Sequence, residues 1–394
     1  MRINKIKLLG ILILALAVVS GCSGKKSNSS LTDADIRVGT DGLKMEFLQN
    51  APPKNVFEGG SFPISLRIKN AGASNIGDDP KTEDVVEQSG IVVFGFEKAY
   101  VGLVGNVKDK ASNLNEEEKI ALKTAGIDEV SLTSISTISQ KKPEDLTDAD
   151  KLLLEKFIET LTNLTAKKPI KISGKQIFNP NGDEDFIGIT AWTKKIGGQS
   201  ETKPTTIFAT ACYPYKTILD ASVCIDTDVT GQRRGQKSCK IKDIDFGDGQ
   251  GAPVAITKIE TKMLPQEDEG KVKPHFIIYL KNAGDGQVIK NAAIETACSN
   301  KPLSYRDFNV LNIMATLSGV ELDCNPDESI GPGATEARLR DKEDMIRCTY
   351  EGKDGSIGID ANLDAYTAPL KIVLDYGYTF TISKDIIIEK VLTY

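Results

Sequence analysis

Phe62-Pro63-Ile64-Ser65-Leu66-Arg67-Ile68-Lys69-Asn70-Ala71-Gly72 and Pro274-His275-Phe276-Ile277-Ile278-Tyr279-Leu280-Lys281-Asn282-Ala283-Gly284 are two versions of one phrase. In each, a hydrophobic, β-rich run enters Lys-Asn-Ala-Gly. The first version alternates apolar and polar side chains at period two, the pattern of a strand with one face buried. Asn70-Ala71-Gly72 then ends it with the two residue types that best tolerate a positive φ. Repetition of a strand together with its ending predicts one fold used twice.

Outward from these phrases the texture stays β-like. Residues 43–48 precede the first version and 254–263 the second, and further apolar or alternating runs lie at 91–97, 170–177, 186–193, 205–212 and 217–225. In the second half they continue at 311–317, 345–350, 370–376 and 378–391. Ile, Val, Thr, Phe and Tyr dominate them, as suits a pleated surface. Between the third and fourth runs of the first half the period becomes helical. Asn115 with Glu118 reads as a capping box and Gly126 as a stop. A second helix starts at Thr147 or Asp148, with Leu152, Leu153, Phe157, Ile158, Leu161 and Leu164 mostly on one face. This insertion is expected to cover one sheet; a recognition arm is the alternative. The Gly-rich stretch 247–253 reads as the joint between the two copies.

Many short strands separated by Gly and Pro turns predict β-sandwiches. The strand endings at Ile64 to Gly72 and Phe276 to Gly284 also resemble the immunoglobulin-like adhesion modules called CARDB, found on archaeal and bacterial surface proteins. That resemblance covers two short segments and implies immunoglobulin-like sandwiches with a surface role. Residues 106–166 and the cysteines depart from a plain module of that kind. The expected fold is therefore mainly β: two immunoglobulin-like β-sandwich domains in tandem, residues 41–246 and 247–394. The first carries a two-helix insertion at about 106–166.

The amino terminus bears on location. Arg2, Lys5 and Lys7 form a charged start, residues 8–19 an apolar stretch, and Val19-Ser20-Gly21-Cys22 a small-residue processing site. The apolar stretch is shorter than the roughly 20 residues that a spanning helix needs. This leader resembles prokaryotic lipoprotein signal peptides over residues 1–22. The resemblance implies loss of residues 1–21 and a thioether-linked lipid on Cys22. Residues 22–40, rich in Ser, Lys, Asn, Asp and Gly, read as a flexible tether. An exported chain held on the outer face of the cell membrane is the expectation.

Composition is that of folded protein, with 40% hydrophobic and 26% charged residues. Loss of Arg2, Lys5 and Lys7 leaves 46 basic against 55 acidic side chains, an acidic balance that argues against nucleic acid as partner. The seven cysteines become six once Cys22 is lipidated: Cys212, Cys224, Cys239, Cys298, Cys324 and Cys348. An even number in an exported chain favours disulfides. Their connectivity stays open, with a preference for Cys324 with Cys348 and for one bridge among Cys212, Cys224 and Cys239. The absence of tight Cys pairs and the single histidine argue against zinc.

Chemical motifs are sparse. Asn179, Asn181 and Asp183 form one acidic turn, and Asp226 and Asp228 begin another like an EF-hand loop. Calcium is the functional reading of both, solvated turns the structural one. The EF-hand frame wants glutamate at its twelfth position, where this chain has Lys237. His275 reads as a sandwich residue and Trp192 as a core anchor, with a ligand platform as the alternative for the latter. The chain has no G-x-S-x-G, H-E-x-x-H or P-loop motif. Asn28 and Asn163 fit the glycosylation sequon. The expected function is thus non-enzymatic: binding, adhesion or envelope assembly, with sheet edges or loops as contact surfaces and other envelope proteins as partners. The alternatives are a substrate- or carbohydrate-binding lipoprotein serving a transporter or enzyme, and an enzyme built on paired carboxylates.

Overall fold

The alternation at residues 62–70 becomes a strand whose even-numbered side chains are buried and whose odd-numbered ones face outward. In this computed structural model the described residues are 32–77, 89–233, 235–266, 270–299, 301–325, 335–351 and 358–391. A short helix α1 (Asp33–Ile36) leads into β1 (Leu43–Phe47), β2 (Asn55–Phe57), β3 (Ser61–Asn70), β4 (Gly90–Phe96) and β5 (Val101–Gly102). The insertion follows, with α2 (Val107–Ser112), α3 (Glu116–Thr124), α4 (Glu129–Ile138) and α5 (Asp148–Ala166). Strands β6 (Lys167–Ile170), β7 (Glu184–Thr193) and β8 (Thr202–Ile225) complete the first half.

The second half contains β9 (Ile244–Asp245), β10 (Val254–Gln266), β11 (Lys271–Asn282), β12 (Gln287–Ile289) and a short helix α6 (Ile294–Ala297). It continues with β13 (Val310–Leu317), β14 (Val320–Glu321), β15 (Asp323–Asn325), β16 (Thr335–Arg338), β17 (Glu343–Thr349), β18 (Ile359–Asp360) and β19 (Tyr366–Glu389). The protein is mainly β, with antiparallel, curled sheets.

Three sheets form. One has the order β1-β3-β7-β5, a second β15-β17-β11-β10-β9, and the largest follows β14-β13-β19-β8-β4-β6. At its centre β8 and β19 pair antiparallel along their full 24 residues. These two strands come from opposite sides of the Gly-rich stretch 247–253, and the described residues from Asp33 onward cluster as one compact unit. The two copies of the repeat therefore share a sheet, and one hydrophobic core runs from Phe62 and Ile64 to Phe276 and Ile278.

Where four runs were expected, at 205–212, 217–225, 370–376 and 378–391, two long strands stand instead. The expected gaps, 213–216 and 377, contain Pro214 and Gly377, which lie directly opposite each other in the ladder, so that Tyr213-Pro214-Tyr215 faces Tyr376-Gly377-Tyr378. Pairing of Tyr213 with Tyr378 and of Tyr215 with Tyr376 puts all four rings on one face, because alternate residues of a strand share a side. Their centroids lie 5.6 to 6.4 Å apart in tilted or edge-on contacts. A local two-fold axis passes through the Pro214–Gly377 pair. Gly377 is required from the other face, where a Cβ would stand 2.9 Å from both Ile289 and Ile294.

The run expected at 170–177 also differs. Strand β6 ends at Ile170, Ile172 makes a single bridge to Ile76, and Gln176 and Asn179 close a tight turn with reciprocal backbone hydrogen bonds. Gly174 approaches Ser74 and Gly72 too closely for a side chain.

The insertion holds four α-helices where two were expected. The expected capping box of Asn115 with Glu118 forms, and the second expected helix starts at Asp148 behind a Thr147 cap whose box with Asp150 was not expected. After α3 the Gly126 N–H bonds to the Lys123 carbonyl and the Ile127 N–H to the Leu122 carbonyl, a Schellman closure with Leu122 and Ile127 buried. Helix α4 has the sequence Glu-Val-Ser-Leu-Thr-Ser-Ile-Ser-Thr-Ile, whose β-branched and hydroxyl residues are weak helix formers; Asp128 caps it and Ile135 anchors it. Leu122, Ile127, Ile135, Phe157 and Leu161 make a small core of their own. Leu152 and Ile158 point to solvent.

Candidate functional site

The two Lys-Asn-Ala-Gly endings meet the tyrosine quartet. Asn70 is fully buried, and its Nδ2 donates to the carbonyls of Ser74 (2.7 Å) and Ile172 (3.2 Å). Its Oδ1 accepts from the Gly72 N–H (3.2 Å) and the Tyr215 hydroxyl (3.0 Å). In the second copy the Asn282 Nδ2 donates to the Gly286 carbonyl (2.9 Å), while its Oδ1 accepts from the Gly284 N–H and the Tyr378 hydroxyl (both 3.2 Å). The remaining two tyrosines match as well. The Leu43 N–H donates to the Tyr213 hydroxyl and the Val254 N–H to that of Tyr376.

Neither Asn nor either Gly of these endings has a positive φ, contrary to the expectation from their types. The Asn side chain closes an Asx-turn onto the Gly N–H. The Gly is needed because a Cβ on Gly72 would strike the Tyr215 hydroxyl and one on Gly284 the Tyr378 hydroxyl. Sequence reasoning missed the tyrosines; two Tyr-x-Tyr triplets, one in each copy, were the available signal. Burial pushes the Tyr378 hydroxyl up to about 12, and raises Tyr213, Tyr215 and Tyr376 further. These phenols are structural hydrogen-bonding groups, poorly suited to proton transfer near neutrality.

The expected site residues are dispersed. Cys22 and Asn28 lie outside the described residues, and Asn163 is exposed on α5. The six cysteines form three bridges, Cys212–Cys298, Cys224–Cys239 and Cys324–Cys348. In the first acidic turn the Asn179 amide donates to Asp183 Oδ1. In the second, Lys237 Nζ sits 2.7 Å from Asp226 Oδ2 and 3.3 Å from Asp228 Oδ2. Asp228 also accepts the backbone N–H groups of Gln232 and Arg233. The twelfth-position lysine thus supplies the cation of its own loop, and the Cys224–Cys239 bridge closes over it. Among the described residues no group of three or more His, Cys, Asp and Glu could hold a metal ion.

His275 is half-buried in β11, and burial together with Arg347 and Lys273 lowers its pKa. Trp192 is half-buried on β7, against Gly105, where a Cβ would come 2.6 Å from the indole. Its neighbours Ala191 and Thr193 are the ones turned into the core.

The concavity that unites these elements is a groove of about 970 Å³ between β1, the far half of β19 and the loop after Asn282. Met45, Phe380 and Ile382 line it, together with Asp285, Gln287, Tyr213 and Tyr378. Strand β1 ends its sheet, and among the described residues no strand pairs with its outer edge, although the outward Leu43 N–H is taken by the Tyr213 hydroxyl. The Ala71 N–H bonds to the Gly42 carbonyl and the Leu48 N–H to the Ser65 carbonyl. By the alternation of an antiparallel ladder, Lys44 and Glu46 then face β3, while the backbone groups of Met45 and Phe47 face away from it. Lys44 is paired with Asp41 (2.8 Å) and Arg67 with Glu46 (2.8 Å) on the rim. The groove offers unpaired peptide groups and apolar side chains, the requirements for holding an extended chain. No protein-family model matches this chain, and no curated protein matches it in sequence.

Proposed function

We propose that this chain is a membrane-anchored surface lipoprotein with a non-enzymatic binding role, held by a lipid on Cys22 and built on two immunoglobulin-like copies that share one sheet and one core. The observation that carries the binding role is the open groove beside β1, where a free strand edge lies over half-buried apolar side chains. Three disulfides fit an oxidising compartment outside the cytoplasm. Among the described residues no helix is long and apolar enough to cross a membrane. A lipid chain contributes about 0.8 kcal/mol per buried methylene, so two long chains would hold the protein firmly.

In this reading the rim charges set orientation and the groove supplies affinity. Two measurements test it. Intact-mass analysis of the membrane fraction should give a chain that begins at Cys22 and carries a lipid adduct; a chain retaining residues 1–21 contradicts the anchor. Crosslinking in intact envelopes followed by purification should recover a partner protein with crosslinks to the β1 side of the groove. Crosslinks confined to other faces contradict the binding surface.

A further inference from the structure

The repeat contains its own comparison for the open groove. Pairing of Val254 with Asn282 in the second copy corresponds to pairing of Leu43 with Asn70 in the first. Counting back from these asparagines, Ile259 opposite Ile278 corresponds to Phe47 opposite Leu66, and Lys258 opposite Tyr279 to Glu46 opposite Arg67. Strand β10 is therefore the counterpart of β1. Its outer edge is covered.

Strand β9 lies there antiparallel, with Ile244 opposite Ile259 and Asp245 opposite Lys258. The Phe246 N–H donates to the Thr257 carbonyl (2.8 Å), and Lys258 pairs with Asp243 (3.0 Å). Ile244 and Phe246, two residues apart, both pack against the core. By the local two-fold axis, Thr217 and Leu219 of β8 are the counterparts of Phe380 and Ile382 of β19. The second copy thus fills, with a strand and two apolar side chains, the space that the first copy leaves as a groove.

The reason lies in the segments that precede the two strands. Residues before β10 fold back along it as β9. Those before β1 coil into α1, bury Ile36, and reach β8 through Arg37, 3.5 Å from Asp220. Met45, Phe47, Phe380 and Ile382 are consequently only partly buried. An edge with free peptide groups beside apolar side chains is the arrangement that strand addition satisfies.

We propose that the groove beside β1 accepts one extended segment of a separate partner protein. The segment adds antiparallel to β1 and seats apolar side chains at alternate positions against Met45, Phe380 and Ile382, as Ile244 and Phe246 do against the second copy. This deepens the surface-binding reading by naming the chemistry of its partner.

The test uses a labelled peptide of residues 240–249 as a surrogate strand, titrated against the full disulfide-bonded chain. Saturable binding is expected. N-methylation at the peptide position of Phe246, whose N–H faces the acceptor edge, should weaken binding by at least about tenfold, whereas N-methylation at Asp245 should leave it nearly unchanged. On the protein, Met45→Pro removes an outward N–H without touching the β3 ladder and should also abolish binding; the methylated peptides read the same contact with the protein unaltered. Absence of binding at millimolar peptide, or equal effects of the two methylations, overturns the proposal. Self-association of the full chain that the peptide reverses would make the occupant a second copy, and overturns the separate partner. Strand binding that persists while envelope crosslinking finds no protein at the groove would instead remove the surface-binding reading and leave the acceptor groove standing.

Discussion

Replacement of Asn70 by alanine should be among the most destabilising polar substitutions in the chain. Its side chain makes four hydrogen bonds, to Ser74, Ile172, Gly72 and Tyr215, and all of it is buried. At about 0.5–1.5 kcal/mol for each, the loss is about 2–6 kcal/mol, a large share of the roughly 5–15 kcal/mol that holds a folded domain. Asn282 makes three such bonds, so its replacement should cost about 1.5–4.5 kcal/mol. Tyr215→Phe and Tyr378→Phe each remove one of them. Denaturant titration gives these differences from shifts in midpoint at constant slope. The pairs Asn70 with Tyr215 and Asn282 with Tyr378 should couple, whereas Asn70 with Tyr378 should be additive within about 0.3–0.5 kcal/mol. A loss below about 0.5 kcal/mol for Asn70→Ala, or full additivity within the bonded pairs, would refute the reasoning that the two endings are held by the tyrosine quartet.

Removal of the Cys212–Cys298 bridge, which closes 86 residues, should cost more than removal of Cys224–Cys239, which closes 15: about 4.6 against about 3.0 kcal/mol by loop entropy, read from melting of the paired alanine variants. Gly284→Ala should cost about 1–3 kcal/mol, because its Cβ meets the Tyr378 hydroxyl and stands 2.9 Å from Pro253 Cβ. Burial raises the pKa of Tyr378 to about 12 in the fold from the usual value near 10 of an unfolded chain. Its contribution is therefore complete below about pH 10 and is lost as pH rises towards 12, where the unfolded state has released a proton that the fold retains. Alkaline titration followed by tyrosinate absorbance and circular dichroism should show the quartet ionising only together with unfolding.

The parts of the fold that were legible were those fixed by local chemistry. Period two at residues 62–70 becomes β3, and helices start at the capping box of Asn115 and at the expected Thr147 or Asp148, where the Asn115 and Thr147 side chains reach free N–H groups. The repeat was legible too, but the reason for its Lys-Asn-Ala-Gly endings was not. That reason is a tyrosine hydroxyl from another strand, 145 residues away from Asn70 in the first copy and 96 from Asn282 in the second. The runs were expected to stop at 213–216 and at 377 because local propensity is blind to a partner strand standing opposite. Helix α4 was hidden by its serines, threonines and isoleucines, whose burial of Ile135 and Ile138 outweighs weak propensity. Calcium was suggested by Asp226 and Asp228, yet the lysine that takes the cation's place was already visible as a misfit at position twelve of the motif. The groove could not be read at all, since it arises from a difference between two copies in where the preceding segment goes.

Hydrogen exchange at Met45 and Phe47 tests the acceptor edge most directly. In the free chain these two amides should exchange fast while those of Lys44 and Glu46, bonded to β3, are protected. Addition of the peptide of residues 240–249 should slow Met45 and Phe47 selectively. Equal protection of all four amides in the free chain, or exchange at Met45 and Phe47 that saturating peptide leaves unchanged, would contradict the account.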